Sequence, residues 1–183
     1  MEKLNRSNII LIGFMGSGKS SVGEALAKGM DYQFLDTDAL IEQEEQQTIP
    51  AIFERKGEAY FRDKETQLLH DLLTSLEETI VSTGGGIPIR EQNRDLLRKL
   101  GFVVFLKASD DTIIRRLRGD TSRPLLAGEA LEDKVTRLQR ERGPFYTATA
   151  HSVLKVDELS PMQLAQKIIE AYDKFRTEDP ART

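Results

Sequence analysis

Gly13-Phe14-Met15-Gly16-Ser17-Gly18-Lys19-Ser20, entered through the apolar run Asn8–Ile12, decides the fold of this chain. The eight residues match G-x-x-x-x-G-K-[ST] at every fixed position. A short continuous apolar run that ends in glycine has the pattern of a strand buried on both faces. Beyond Lys19, the apolar Val22, Ala25, Leu26 and Met30 recur at helical spacing. Strand, glycine turn and helix in that order make a phosphate cradle. Gly13, Gly16 and Gly18 let the backbone turn its N–H groups inward, and the helix aims its N-terminus at the same oxygens. Lys19 then reaches the β- and γ-phosphates of ATP, and the Ser20 hydroxyl can coordinate Mg2+. Ser17 and Ser21 lie in the same stretch and count with the nucleotide contacts. The bland alternative, a glycine-rich turn with an exposed lysine, does not explain why a strand precedes and a helix follows.

Outward from the cradle, four more short apolar runs read as strands: Tyr32–Leu35, Thr79–Ser82, Phe102–Leu106 and Val153–Val156. Helical patterns alternate with them. These cover Ala39–Glu45, an apolar face starting at Ile49, Ile52 and Phe53, then Glu65–Leu76, Arg90–Leu100, Asp110–Leu117, Leu131–Arg142 and Pro161–Phe175. The alternation predicts an α/β fold with one doubly wound parallel sheet of five strands flanked by helices. Residues 1–176 make a single domain, with a mobile lid over about 116–128 and a polar tail over 177–183. Ligands of such sheets sit beyond the carboxyl ends of the strands, where the glycine turns fall.

Composition narrows the function classes. With 183 residues, 39% hydrophobic and 31% charged, the chain can bury one core beneath a solvated surface. The net charge of −4 argues against a nucleic-acid partner, so an anionic ligand must be attracted by locally gathered Lys and Arg. No cysteine is present, which removes disulfides, thiolate metal sites and Cys nucleophiles. His70 and His151 are too isolated for a zinc site, and His70 is expected on a helix surface. The early apolar run is too short for a membrane span and lacks a cleavage site, so the protein reads as cytoplasmic. A monomer is expected.

A GTPase switch would need D-x-x-G and N-K-x-D, and neither occurs. A large ATPase motor would need a longer chain and an apolar strand ending in an acid, whereas Ile80-Val81-Ser82 runs into Thr83 and three glycines. A small-molecule kinase remains, with a nucleotide-binding module lacking kinase activity as the reading of a different class.

The acceptor side begins at Asp36-Thr37-Asp38. If the extended backbone persists, period two puts both carboxylates on one side. One can then hold Mg2+ through its waters, and the other can take the acceptor hydroxyl's proton. The alternative is a solvated turn in which one Asp caps the next helix. For Arg62 the local alternative is a surface salt bridge. Gly84-Gly85-Gly86 suits a ligand pressed on bare backbone, or simply a tight turn. Arg115, Arg116, Arg118 and Arg123 form either a solvated helix end or a lid carrying an arginine, Arg123, onto the transferring phosphoryl group. Arg142, after a charged helix, is as readable as solvated.

Taken together, the motifs resemble the shikimate kinase family from about Asn8 to Phe175. The resemblance rests on the cradle, Asp-Thr-Asp at 36–38, Gly-Glu-x-x-Phe-Arg-x-x-Glu at 57–65, the triple glycine at 84–86, Arg-Pro-Leu-Leu at 123–126 and Arg-x-Pro-x-Tyr at 142–146. It implies phosphorylation of the 3-hydroxyl of shikimate by MgATP, with gluconate kinase the nearest alternative. It further implies that Asp38 binds acceptor hydroxyls and serves as base. Arg62 and Arg142 would grip the shikimate carboxylate, with Gly84, Gly85 and Gly86 beside the ring. Lys19 and Arg123 would neutralise phosphate charge, Ser20 would ligate Mg2+ with Asp36 acting through water, and Arg116 and Pro161 would sandwich the adenine. Gly143 and Phe145 stand where Asn and Leu are commoner in that family, which reads as a change of local packing.

Overall fold

β1 (Ile9–Ile12) is four apolar residues with no solvent exposure, because it is the central strand of a parallel sheet. In the computed structural model, which describes residues 7–118 and 130–177, the sheet order is β2-β3-β1-β4-β5. The flanking strands are β2 (Gln33–Asp36), β3 (Thr79–Ser82), β4 (Phe102–Lys107) and β5 (Ser152–Lys155). Ile10 lies beside Val81 on one side and Val103 on the other, so all five strands end at one rim. The buried Asn8 side chain locks the opposite rim: it donates to the Leu100 carbonyl and accepts from the Thr79 amide. A buried polar group with both ends satisfied tolerates such a position.

Helices cover both faces. α1 (Lys19–Met30) and α7 (Pro161–Thr177) pack on each other on one side, and α3 (Ile49–Leu72), α4 (Glu91–Leu100) and α6 (Leu131–Thr149) form the other layer. α2 (Thr37–Glu45) lies along α3, and α5 (Asp110–Leu117) along α6. Gly23 is obligatory in α1 because the Phe34 ring occupies the place its Cβ would take. Ile41, Ile52 and Phe61 form a small second core under α2 and α3, apart from the main one.

Several predicted boundaries change. The backbone does not stay extended through Asp36-Thr37-Asp38: β2 ends at Asp36 and α2 starts at Thr37. α3 is one long element broken at Gly57, whose φ of 81° and ψ of 169° no other residue adopts readily. α6 does not stop at Arg142 but runs through Gly143-Pro144 to Thr149. Pro144 removes a helical hydrogen bond, yet the buried Tyr146 and Thr149 beyond it hold the last turns in place. His70 is exposed on α3, as expected. Residues 119–128 of the predicted lid, including Arg123, lie outside the described residues, as does the tail beyond Thr177.

Candidate active site

The rim of the sheet opens into a cavity of ≈ 920 Å³. Its wall includes Gly16 through Ser21, Asp36, Asp38, Arg62, Glu65, the three glycines, Arg116, Arg142 and Pro161. Among the described residues, every predicted contact except the fully buried Gly13 therefore faces one space.

The cradle is built by positive φ at Gly16 (76°) and Gly18 (96°), the latter capping α1. Lys19 folds back over the loop and donates to the carbonyls of Gly13 and Phe14 at 2.9 and 3.0 Å, which holds its ammonium against the loop. Arg116, at the end of α5, donates to the Gly16 carbonyl at 2.9 Å. It shares the cavity wall with Leu159 and Pro161.

Asp36 is the capping residue of the acidic pair. One of its oxygens accepts from the amides of Asp38 and Ala39 at 3.0 and 3.2 Å, while the other lies 3.4 Å from the Ser20 hydroxyl. The cap and the link to the cradle are thus divided between two oxygens of one carboxylate. Asp38, in the first turn of α2, turns its Oδ1 toward Gly84.

The triple glycine has a reason the sequence did not display. None of the three has positive φ, so turn geometry does not demand them. A Cβ on Gly84 would lie 2.5 Å from Asp38 Oδ1 and 3.0 Å from Glu65 Oε1, and one on Gly86 would collide with the Arg62 guanidinium. Gly85 lies against the backbone of Gly13 and Met15. The glycines bring the cradle and the acceptor-side charges together across bare backbone. The 3₁₀ turn that follows, Ile87–Ile89, is anchored by Asn93, Arg94 and their bonds to its carbonyls.

Arg62 is neither solvated nor on the surface. It is buried, bonded to Glu65 at 2.7 Å and to Glu58 at 3.1 Å. Arg142 is also buried, lies over the Phe14 ring, and its Nη1 makes no hydrogen bond. One turn further along α6, Tyr146 donates to the Gly85 carbonyl at 2.6 Å. Burial pushes its phenol up to about 12, against the opposing pull of Arg142, so it remains a donor. Phe145 packs beneath the Arg94 guanidinium and Gly143 faces open space, so the departure at these positions is absorbed by local packing.

Glu65 closes the Gly-Glu-x-x-Phe-Arg-x-x-Glu motif, and sequence alone assigns it no part. It is fully buried, with Oε2 on Arg62 and Oε1 making no hydrogen bond. Its three-residue spacing from Arg62 on a helix was the signal available. Burial raises its carboxyl to about 7, with Asp38 adding to the rise and Arg62 and Arg142 opposing it.

The chain that builds this site matches known proteins over most of its length. The family model described as shikimate kinase matches residues 15–173. The chain belongs to the shikimate kinase family. A shikimate kinase of Thermodesulfovibrio yellowstonii is 39% identical over 168 residues, 92% of this chain and 96% of the relative. The solved shikimate kinase of Acinetobacter baumannii, in complex with shikimate, superposes with a TM-score of 0.89 at 37% identity, covering 95% of this chain and 97% of that one. A gluconokinase of Sinorhizobium meliloti shares the fold alone, at TM-score 0.55 and 17% identity, over 94% of each chain.

Proposed function

We propose that this chain transfers the γ-phosphoryl group of ATP to the 3-hydroxyl of shikimate, giving shikimate 3-phosphate and ADP, a step of aromatic amino-acid biosynthesis. The observation that carries the acceptor assignment is the placing of Asp38, Arg62 and Arg142 on one cavity wall with the phosphate cradle. A small polyol acid needs a cationic clamp at its carboxylate and an acceptor of hydrogen bonds at its hydroxyls. Two guanidiniums and one aspartate supply both.

Asp38 receives the 3-hydroxyl and takes its proton as the hydroxyl oxygen attacks phosphorus. Arg142, with its bare Nη1, and Arg62, held by Glu65 and Glu58, receive the carboxylate. The backbone of Gly84–Gly86 lies along the ring. Lys19 leaves its loop carbonyls for the β- and γ-phosphate oxygens, and Arg116 with Pro161 encloses the adenine. Arg123, outside the described residues, is assigned to the transferring phosphoryl group on the family resemblance.

Ser20 Oγ and the uncapped oxygen of Asp36 are hard oxygen donors 3.4 Å apart beside the cradle, which fits Mg2+ held directly by Ser20 and through water by Asp36. When bound, the ion supplies positive charge to the phosphate oxygens. No described helix is long and apolar enough to cross a membrane. The reading is of a cytoplasmic, monomeric enzyme, as fits a biosynthetic enzyme of this family.

The test is release of ADP from ATP and Mg2+ with shikimate, with gluconate, and with no acceptor. Shikimate alone should support turnover, and EDTA should abolish it. Turnover with gluconate only, or none that depends on an acceptor, overturns the assignment.

A further inference from the structure

Glu65 is a fully buried carboxylate whose two oxygens meet different things. Oε2 bonds Arg62 Nη1 at 2.7 Å, whereas Oε1 has no hydrogen bond and faces Gly84 on the cavity wall. The charges around it come from three elements. Arg62 and Glu58 lie on its own helix α3, Asp38 on α2, and Arg142 with the Tyr146 phenol on α6. In the ionised state this cluster holds two guanidiniums against three carboxylates, Asp38, Glu65 and Glu58, so its positive charge is already more than matched. A carboxylate entering between Arg62 and Arg142 would add a further negative charge to a desolvated space, which is costly unless one acid becomes neutral.

Which acid yields is decided by burial. Glu58 is half exposed and keeps its solvation. Asp38 must stay ionised to accept a proton in the transfer. Glu65 is wholly removed from water and has one oxygen without a donor, the place where a proton can sit without breaking the bond to Arg62. Its carboxyl already stands near 7 because burial outweighs Arg62, and an arriving anion moves it further in the same direction.

We propose that Glu65 is the proton-linked counter-charge of the acceptor site: it positions Arg62 for the acceptor's carboxylate and takes up a proton from solvent when that carboxylate binds. This rests on shikimate, or a like carboxylate, being the acceptor. With Glu65 neutral, Arg62 and Arg142 balance Asp38 and Glu58, so the cluster no longer carries a surplus negative charge against the ligand, and Oε2 still accepts from Arg62. Affinity for the anionic acceptor is therefore full below pH 7 and falls as pH rises past it. If binding raises the carboxyl by somewhat more than one unit, the loss between pH 6.5 and 8.5 is about tenfold.

Calorimetric titration of the whole chain with shikimate, at pH 7.5 in buffers of differing ionisation enthalpy, reads the proton directly. The expected uptake is roughly half a proton or more at pH 7.5, shrinking toward zero near pH 5.5 where Glu65 is already protonated. Glu65→Gln, neutral at every pH, should abolish the uptake, flatten the pH dependence of the dissociation constant and bind more tightly than wild type at pH 8.5. A residue needed only to hold Arg62 would instead weaken binding equally at every pH. Binding without proton uptake in the wild type, or unchanged uptake in Glu65→Gln, overturns the inference and leaves the acceptor assignment standing. No heat of binding at any pH overturns both. Should Glu65→Gln fail to fold, the wild-type proton count against pH still decides.

Discussion

Asp38 lies against bare backbone at Gly84, with no space between them for a methyl group. Two predictions belong to this contact. Asp38→Asn keeps the shape but cannot take a proton, and should lower kcat on the order of a hundredfold while ATP affinity is unchanged. Wild-type turnover in that variant would remove Asp38 as the base. Gly84→Ala attacks the same residue from the other side, since its Cβ would stand 2.5 Å from Asp38 Oδ1. Because a misplacement of an ångström in a phosphoryl-transfer site is severe, kcat should fall roughly tenfold to a hundredfold with the fold intact. Equal kinetics in Gly84→Ala would mean that the glycine is there for the turn alone. On the proposed mechanism, the proton that Asp38 takes and the one that Glu65 gains on acceptor binding are separate events, and only the first belongs to kcat.

Among elements, the part that carries Asp38 has a small core of its own. α2 and the portion of α3 before Gly57 share the small core of Ile41, Ile52 and Phe61, with Leu40 of α2 packed on the main one. A polar staple closes this unit. Glu45 accepts from Lys56 at 2.6 Å and Tyr60 at 2.8 Å and pairs with Lys64 at 3.0 Å, joining α2 to α3 on both sides of the Gly57 break. The bonds from Lys56, Tyr60 and Lys64 hold its carboxyl at about 2, so the staple stays ionised at any working pH. Glu45→Gln should raise the shikimate KM by roughly threefold and leave the ATP KM alone, since networks of this kind contribute modestly. Hydrogen exchange should quicken in α2 and the start of α3. An ATP KM that rises in parallel would show that the staple serves the whole rim and not the acceptor side.

For the molecule as a whole, the cradle is part of the main core: Phe14 is buried within it, and the loop continues the central strand. Ligand bound there must stabilise the entire sheet and not a loop. At a hundred times Kd, ADP with Mg2+ should add about 2.7 kcal/mol, a rise in Tm of roughly 5–10 °C for a chain this long. Lys19→Ala should cancel most of that shift. A shift retained in Lys19→Ala would place the nucleotide elsewhere.

The glycine cradle and the alternation of strands and helices that makes a parallel sheet were legible in sequence, because each is a local pattern: apolar runs, glycines and Lys19 within eight residues. The capping by Asp36 was half legible, since the choice between an extended and a helical Thr37 depends on what α2 packs against. Local sequence left open whether Arg62 and Arg142 were buried, and it said nothing of why Gly84 and Gly86 lack side chains. Those are contacts between residues 20 to 60 positions apart or more, and no window of sequence contains them. Sequence by itself determined the strand, glycine turn and helix around Gly13–Ser20 that form a phosphate-type cradle. Only the tertiary structure decided what faces it, by folding α2, α3 and α6 onto one stretch of glycine backbone and burying Glu65 between Arg62 and Gly84, contacts that no local pattern contains.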